Sequence, residues 1–282
     1  MPDHSEALRE RYLELLAGCL LGTVHQDVFS VVGNGAMPPW RAPVRRTFRA
    51  TQRLMSRYGY EVAVRRVPRG VLEEGRAWPL VGETMVGAAR LRNVWACLDT
   101  VLREGLEGDF IEAGVWRGGC CIYAAAVLET SQIPNGKRVF VADSFQGLPE
   151  ADHDMHPQES RAPMSEMSRL AVSRPDVEEN FRRYGVERER VSFVEGWFDE
   201  SLPLLREQDW SVIRLDGDMY SSTLAALSHL YPQLVPGGFV IIDDYWEMDS
   251  CRSAVDDFRQ QAGVNAPLVP VDHACVMWRR PG

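Results

Sequence analysis

Apolar residues along the chain gather in short runs that alternate with stretches of helical spacing. The pattern is plainest in SVIRLDGDMY (211–220) and GGFVIIDDY (237–245). Val212, Ile213 and Leu215, and then Phe239 to Ile242, read as buried strands that stop abruptly at carboxylates. Between them Leu224, Leu227, Leu230 and Tyr231 recur at helical spacing as far as Pro232. A strand–helix–strand unit of this kind lays its strands parallel in one sheet. Asp216, Asp218, Asp243 and Asp244 then converge on the C-terminal edge, where open α/β sheets bind ligands.

The same alternation extends in both directions. DFIEAGVWRGG (109–119) is a strand entering a glycine turn, followed by a helix over Cys121–Leu128. Arg138–Asp143 and Arg190–Val194 are further strands, with a helix over Asp176–Tyr184 between them. A helix over Cys251–Gln261 and a hairpin of Leu268–Val271 with Cys275–Trp278 close the chain. Residues 109–282 thus read as one α/β domain of five β/α units and a terminal antiparallel pair. Upstream, helices are predicted over Glu6–Leu21 (Leu8, Tyr12, Leu15, Leu16, Cys19, Leu20) and Gly82–Leu102, with Glu83 and Thr84 opening the second. Residues 31–79, rich in Gly, Pro and Arg, read as a peripheral cap. The chain divides into a helical cap, 1–80, and a domain, 81–282, with a long polar lid loop at 146–175.

Composition narrows the class of function. Hydrophobic and charged contents of 45% and 25% are those of an ordinary globular protein. A net charge of −9 argues against nucleic acid or an anionic membrane surface as partner. Apolar runs stay shorter than a membrane span, no signal-peptide pattern opens the chain, and six scattered Cys read as reduced thiols of a cytoplasmic protein. Lys137, the only lysine, sits in a Pro-Asn-Gly-Lys turn opening a strand, which removes lysine as a catalytic base.

Four carboxylates at one sheet edge repel each other, and burying them unpaired is costly. A divalent cation resolves this, and an all-oxygen set suits Mg²⁺, Mn²⁺ or Ca²⁺ rather than zinc. The alternative is that these aspartates cap the helices that follow. The glycine turn permits close backbone approach to a ligand, although Glu-x-Gly-x-x-x-Gly-Gly is not a nicotinamide fingerprint. Asp143, ending the second strand, is placed either to bond a ribose diol or to cap a helix. Trp197 and Phe198, just past the third strand and Gly196, can sandwich adenine or pack in the core. His153 and His156 lack a second Cys or His pair, so they read as loop residues rather than zinc ligands.

Several segments together resemble one family. They are Glu112-Ala113-Gly114-Val115-Trp116-Arg117-Gly118-Gly119, Asp143-Ser144-Phe145-x-Gly147-Leu148-Pro149, Leu215-Asp216-Gly217-Asp218-x-Tyr220-x-Ser222-Thr223 and Asp243-Asp244-Tyr245. With Tyr12-Leu13-x-Leu15-Leu16, Thr84-Met85-Val86-Gly87 and the Cys251–Phe258 segment, they are similar to the macrocin O-methyltransferases, metal-dependent enzymes acting on deoxysugar hydroxyls of glycosylated natural products. The resemblance implies a Rossmann-like class I methyltransferase fold with a seven-stranded sheet, and S-adenosylmethionine and Mg²⁺ as cofactors. It implies that Glu112, Gly114, Val115, Trp116 and Gly118 lie along the methionine part of the cofactor, that Asp143 and Ser144 hold the ribose, and that Gly196 and Trp197 border adenine. Thr84 and Met85 would line the cofactor pocket. Asp216, Asp243 and Asp244 would hold Mg²⁺, with Asp218, or Asp216 on the metal, as general base. The same likeness implies a homo-oligomer. A catechol-like diol is the competing acceptor and a silent assembly protein the competing role; the first sits poorly with the position of Lys137, the second with an intact carboxylate set.

Overall fold

The structure, a computed structural model, describes residues 4–25, 29–31, 63–65, 67–151, 168–186 and 188–282, with isolated positions at 51, 54, 55, 58, 156 and 159. Five strands run parallel: β3 (Asp109–Ala113), β4 (Val139–Asp143), β5 (Val191–Glu195), β6 (Trp210–Leu215) and β7 (Leu234–Ile242). Strands β8 (Val269–Pro270) and β9 (Val276–Arg279) complete the sheet antiparallel, in the order β5-β4-β3-β6-β7-β9-β8. A short antiparallel pair, β1 (Phe29–Val31) with β2 (Ala63–Arg65), stands apart from it. The other predicted features of the cap fall largely outside the described residues, as do nearly half of the lid and His153.

The strand order reverses between β3 and β6: from β3 the chain steps outward through β4 and β5, and from β6 through β7. A crevice opens at such a switch point, above the carboxyl ends of the strands. Alternation along each strand sorts its side chains into two layers. Phe110, Val139, Val141, Val212, Phe239 and Ile241 join one core. It also takes in α1 (His4–Leu20), α3 (Gly87–Arg103) and α4 (Gly119–Glu129), which follow and precede the short α2 (Arg69–Glu73). Ile111, Ala113, Phe140, Ala142, Ile213, Leu215, Val240 and Ile242 face the other core. There they meet α7 (Tyr220–Leu230) and α8 (Asp249–Gln261), while α5 (Arg174–Arg183) and α6 (Phe198–Ser201) flank the sheet. Each fully buried aliphatic side chain contributes on the order of 1.5–3 kcal/mol.

Several helix ends shift by about two residues, and two boundaries and one buried face differ in ways that bear on the site. The helix expected over Gly82–Leu102 begins at Gly87, whose φ of 81° belongs to the left-handed region, so Glu83 and Thr84 lie in the segment before it. Strand β7 starts at Leu234 rather than near Gly237, because Pro236, Gly237 and Gly238 are absorbed where its register with β6 shifts. In α1 the buried stripe is Leu13, Leu16, Ala17 and Leu20, whereas Leu8, Tyr12 and Leu15 are exposed.

Candidate functional site

A cavity of about 790 Å³ opens over the switch point, lined by the ends of β3, β4, β6 and β7. The turn after β3 is shaped by sterics. Gly114 has φ 90°, and a Cβ there would lie 1.9 Å from the carbonyl oxygen of Asp216. Only glycine lets the β3 and β6 ends approach this closely. A Cβ on Gly119 would meet the Glu83 carbonyl oxygen at 2.5 Å, and the Gly119 N–H donates to that same oxygen at 3.0 Å. The Thr84–Val86 segment is thereby fastened against the start of α4. Gly118, φ 83°, lies under Val177 and Phe181 of α5 and is not part of the cavity wall.

Asp143 stands at the end of β4 on the cavity wall. One carboxylate oxygen accepts the Val115 N–H and the other the Phe145 N–H, each at 2.8 Å. Burial raises its pKa against the opposing pull of these backbone donors. Ser144 turns its hydroxyl to the Gly147 carbonyl, and Gly196 and Trp197 follow β5 on the same wall.

Across the crevice, Asp216, Asp218 and Asp244 each present a carboxylate oxygen within 4.8 Å of the others. Asp218 holds a left-handed φ of 55°, which costs a non-glycine residue on the order of 1 kcal/mol or more. Asp244 is 8% exposed, and its Oδ2 is buried with no hydrogen-bond partner. Burial, then the charges of Asp216 and Asp243, pushes the Asp218 carboxyl well above the usual range; burial, then Asp218 and Asp216, does the same to Asp244. An orphaned acceptor among mutually repelling carboxylates is the donor set that a hard divalent cation fits.

Behind this cluster runs a buried chain of opposite charges. Arg214 of β6 has no solvent access and bonds Glu112, Asp243 and, at 3.1 Å, Asp216. Asp243 also takes Arg90 of α3, whose Nε reaches Asp272 at 2.8 Å. Glu112 accepts the Cys121 thiol at 2.7 Å as well as Arg214; burial lifts its pKa to about 7 while Arg214 opposes. Both oxygens of Asp243 are therefore engaged by arginines, and it is not one of the three carboxylates that lie within 4.8 Å of one another.

A family model described as macrocin-O-methyltransferase (TylF) matches residues 9–280 of the chain. The chain belongs to that family. It is an S-adenosylmethionine-dependent O-methyltransferase by that membership. A tetracenomycin C rhamnosyl 4′-O-methyltransferase of Streptomyces olivaceus is 47% identical over 206 residues, which is 73% of this chain and 78% of the relative. The mycinamicin III 3″-O-methyltransferase of Micromonospora griseorubida is 41% identical over 74% of this chain and 82% of its own. Among solved structures, the O-methyltransferase NovP superposes with a TM-score of 0.79 at 33% identity, covering 97% of this chain and 100% of that one.

The expected site residues Thr84, Met85, Glu112, Gly114, Val115, Trp116, Asp143, Ser144, Gly196, Trp197, Asp216, Asp218, Asp243 and Asp244 all line the cavity. Lys137 is at the opposite end of the sheet, its Nζ bonding the Leu106 and Gly108 carbonyls. His156 also lines the cavity, with its ring 5.5 Å from that of Tyr220. Arg214, Arg90 and Glu159 were not among the expected site residues. The signal for Arg214 was a lone cation inside the apolar run SVIRL, which can be buried only with carboxylate partners. Arg90 and Glu159 carry no such local mark.

Proposed function

We propose that the chain transfers the methyl group of S-adenosylmethionine to a deoxysugar hydroxyl of a glycosylated natural product, and that Mg²⁺ is required. The observation that carries the cation is the Asp216, Asp218, Asp244 cluster with its unpartnered Asp244 oxygen, at a cavity wide enough for two substrates. The acceptor class is supported by relatives named for rhamnosyl tetracenomycin, mycinamicin and a novobiocin precursor.

Asp216 and Asp244 would hold the cation. Asp243 completes the set with the lone pair each of its oxygens retains, while Arg214 and Arg90 fix its orientation. The cation, when bound, supplies positive charge that lowers the pKa of a sugar hydroxyl placed beside it. Asp218, within 4.8 Å of Asp216 and Asp244, takes the hydroxyl proton. S-adenosylmethionine, when bound, would supply the methyl group: the sulfur–methyl bond would break as the sugar oxygen bonds the methyl carbon, leaving S-adenosylhomocysteine. Glu112, Gly114, Val115 and Trp116 shape the methionine side, with Gly118 acting only through the fold of that turn; Thr84 and Met85 line it. Asp143 and Ser144 hold the ribose, and Gly196 and Trp197 border adenine. Holding both substrates in line accounts for much of the rate. A homo-oligomer also belongs to this reading, and light scattering measures it.

A methyl-transfer screen against deoxysugar-bearing scaffolds and a catechol, with mass detection, tests the proposal. Turnover of a glycoside should vanish in excess chelator and return with Mg²⁺. Full activity in chelator would remove the cation from the mechanism; methylation of the catechol alone would remove the sugar.

A further inference from the structure

Arg90 occupies an unusual position in this cavity. It is 3% exposed and lines the wall, yet only part of its guanidinium is used. Its Nη1 bonds Asp243 and its Nε bonds Asp272, while Nη2 is buried with no hydrogen-bond partner. Among the described residues lining the cavity it is the one lysine or arginine, against nine aspartates and glutamates. The fourth residue of α3, it lies one turn beyond the Thr84–Val86 segment of the same wall. Through Asp243 and Arg214 it connects to Glu112, two residues before the turn that opens at Gly114.

We propose that Arg90 binds the carboxylate of the cofactor's methionine moiety through its unpartnered Nη2. The inference rests on reading S-adenosylmethionine as the cofactor. That molecule carries two positive groups, the sulfonium and the ammonium, and one negative group. In a cavity walled by carboxylates the positive groups find partners almost anywhere, whereas the carboxylate is repelled everywhere except beside a cation. Among the described residues of the wall Arg90 is the side chain that supplies one, and a guanidinium–carboxylate bond is charge-assisted on both sides. Asp243 and Asp272 clamp the guanidinium plane, so little side-chain freedom remains to be lost when the third nitrogen takes a ligand.

Calorimetry in excess chelator, which keeps metal binding out of the measurement, tests this. S-adenosylhomocysteine is compared with its decarboxylated analogue, which keeps the thioether, the amine and the nucleoside. The unaltered chain should bind the first about 10–100-fold more tightly than the second. Arg90→Gln should lose most of that preference by weakening only the carboxylate-bearing ligand, and Arg90→Lys should restore part of it. Equal weakening of both ligands, or a carboxylate preference that survives in Arg90→Gln, would reduce Arg90 to a support for Asp243. Equal affinities in the unaltered chain overturn the inference without any variant, so a variant that fails to fold does not protect it. If the unaltered chain binds neither ligand, the cofactor reading itself falls, a result distinct from equal binding.

Discussion

Arg214 lies between Ile213 and Leu215 in a strand with no access to solvent, so its charge is tolerable only while Glu112, Asp243 and Asp216 surround it. Breaking a buried ion network from one side leaves the other charges uncompensated, which costs about 3–5 kcal/mol. Arg214→Met keeps the length and removes the charge. It should lower unfolding stability by about that amount, measured by denaturant titration, and an unchanged midpoint would show that the acids are already protonated. Asp272 permits a pH prediction of the opposite kind. Burial raises its pKa, but the Cys275 and Ala274 N–H groups and Arg90 outweigh it, and the net shift is downward. A folded pKa below the unfolded one means that its stabilisation is present above the unfolded value and lost as pH falls through the folded one. The stability gap between the unaltered chain and Asp272→Asn should therefore be full at pH 6 and shrink toward pH 3. A gap independent of pH would contradict the assignment.

The five parallel strands were legible because each is a run of β-branched and aromatic residues ended by an acid or a glycine, and because strand–helix alternation permits little else. Convergence of Asp216, Asp218, Asp243 and Asp244 followed from that topology alone. What alternation does not convey is the partner of each carboxylate: Asp243 and Asp244 are adjacent in the chain, yet one is held by two arginines and the other has an orphaned oxygen. Long-range contacts of this type have no local periodicity. Glu159 is the clearest example at the level of an element. Its two oxygens accept the Tyr220 and Ser221 N–H groups at 3.2 and 2.9 Å, so a residue 61 positions away caps α7. No residue at the chain-local start of α7 supplies a side-chain cap. The helix begins two residues after Asp218, and the cap thereby steadies the turn that carries the proposed base. Loss of a helix cap costs about 1–2 kcal/mol. Glu159→Ala should raise hydrogen exchange at the Tyr220 and Ser221 amides while leaving the sheet amides unchanged; unaltered exchange there would mean that the cap does not persist in solution.

At the scale of the whole molecule the acid cluster is a defect that folding tolerates. A chain of net charge −9 brings three carboxylates within 4.8 Å of one another and leaves an oxygen of one unpartnered. Those groups repel in the folded state and are far apart in the unfolded one, so a cation that fits among them binds the folded chain preferentially. Linkage then stabilises the fold by about 2.7 kcal/mol when free Mg²⁺ is 100 times its dissociation constant. For a domain of this size that corresponds to a rise in melting temperature of about 5 °C. Calorimetric melting with Mg²⁺ and with chelator should show the rise in the unaltered chain and lose it in Asp244→Asn. Asp244→Asn alone should melt no lower than the unaltered chain in chelator, because removing one of three crowded charges relieves repulsion. Asp218→Asn separates the two roles proposed for the cluster: as proton acceptor it should keep the Mg²⁺-dependent rise and lose methyl transfer. If the rise disappears with Asp218 and persists without Asp243, the third ligand is Asp218, and the proton passes instead to Asp216. If Mg²⁺ leaves the melting temperature of the unaltered chain unmoved, the cluster is not a cation site and the proposed chemistry has no driving charge.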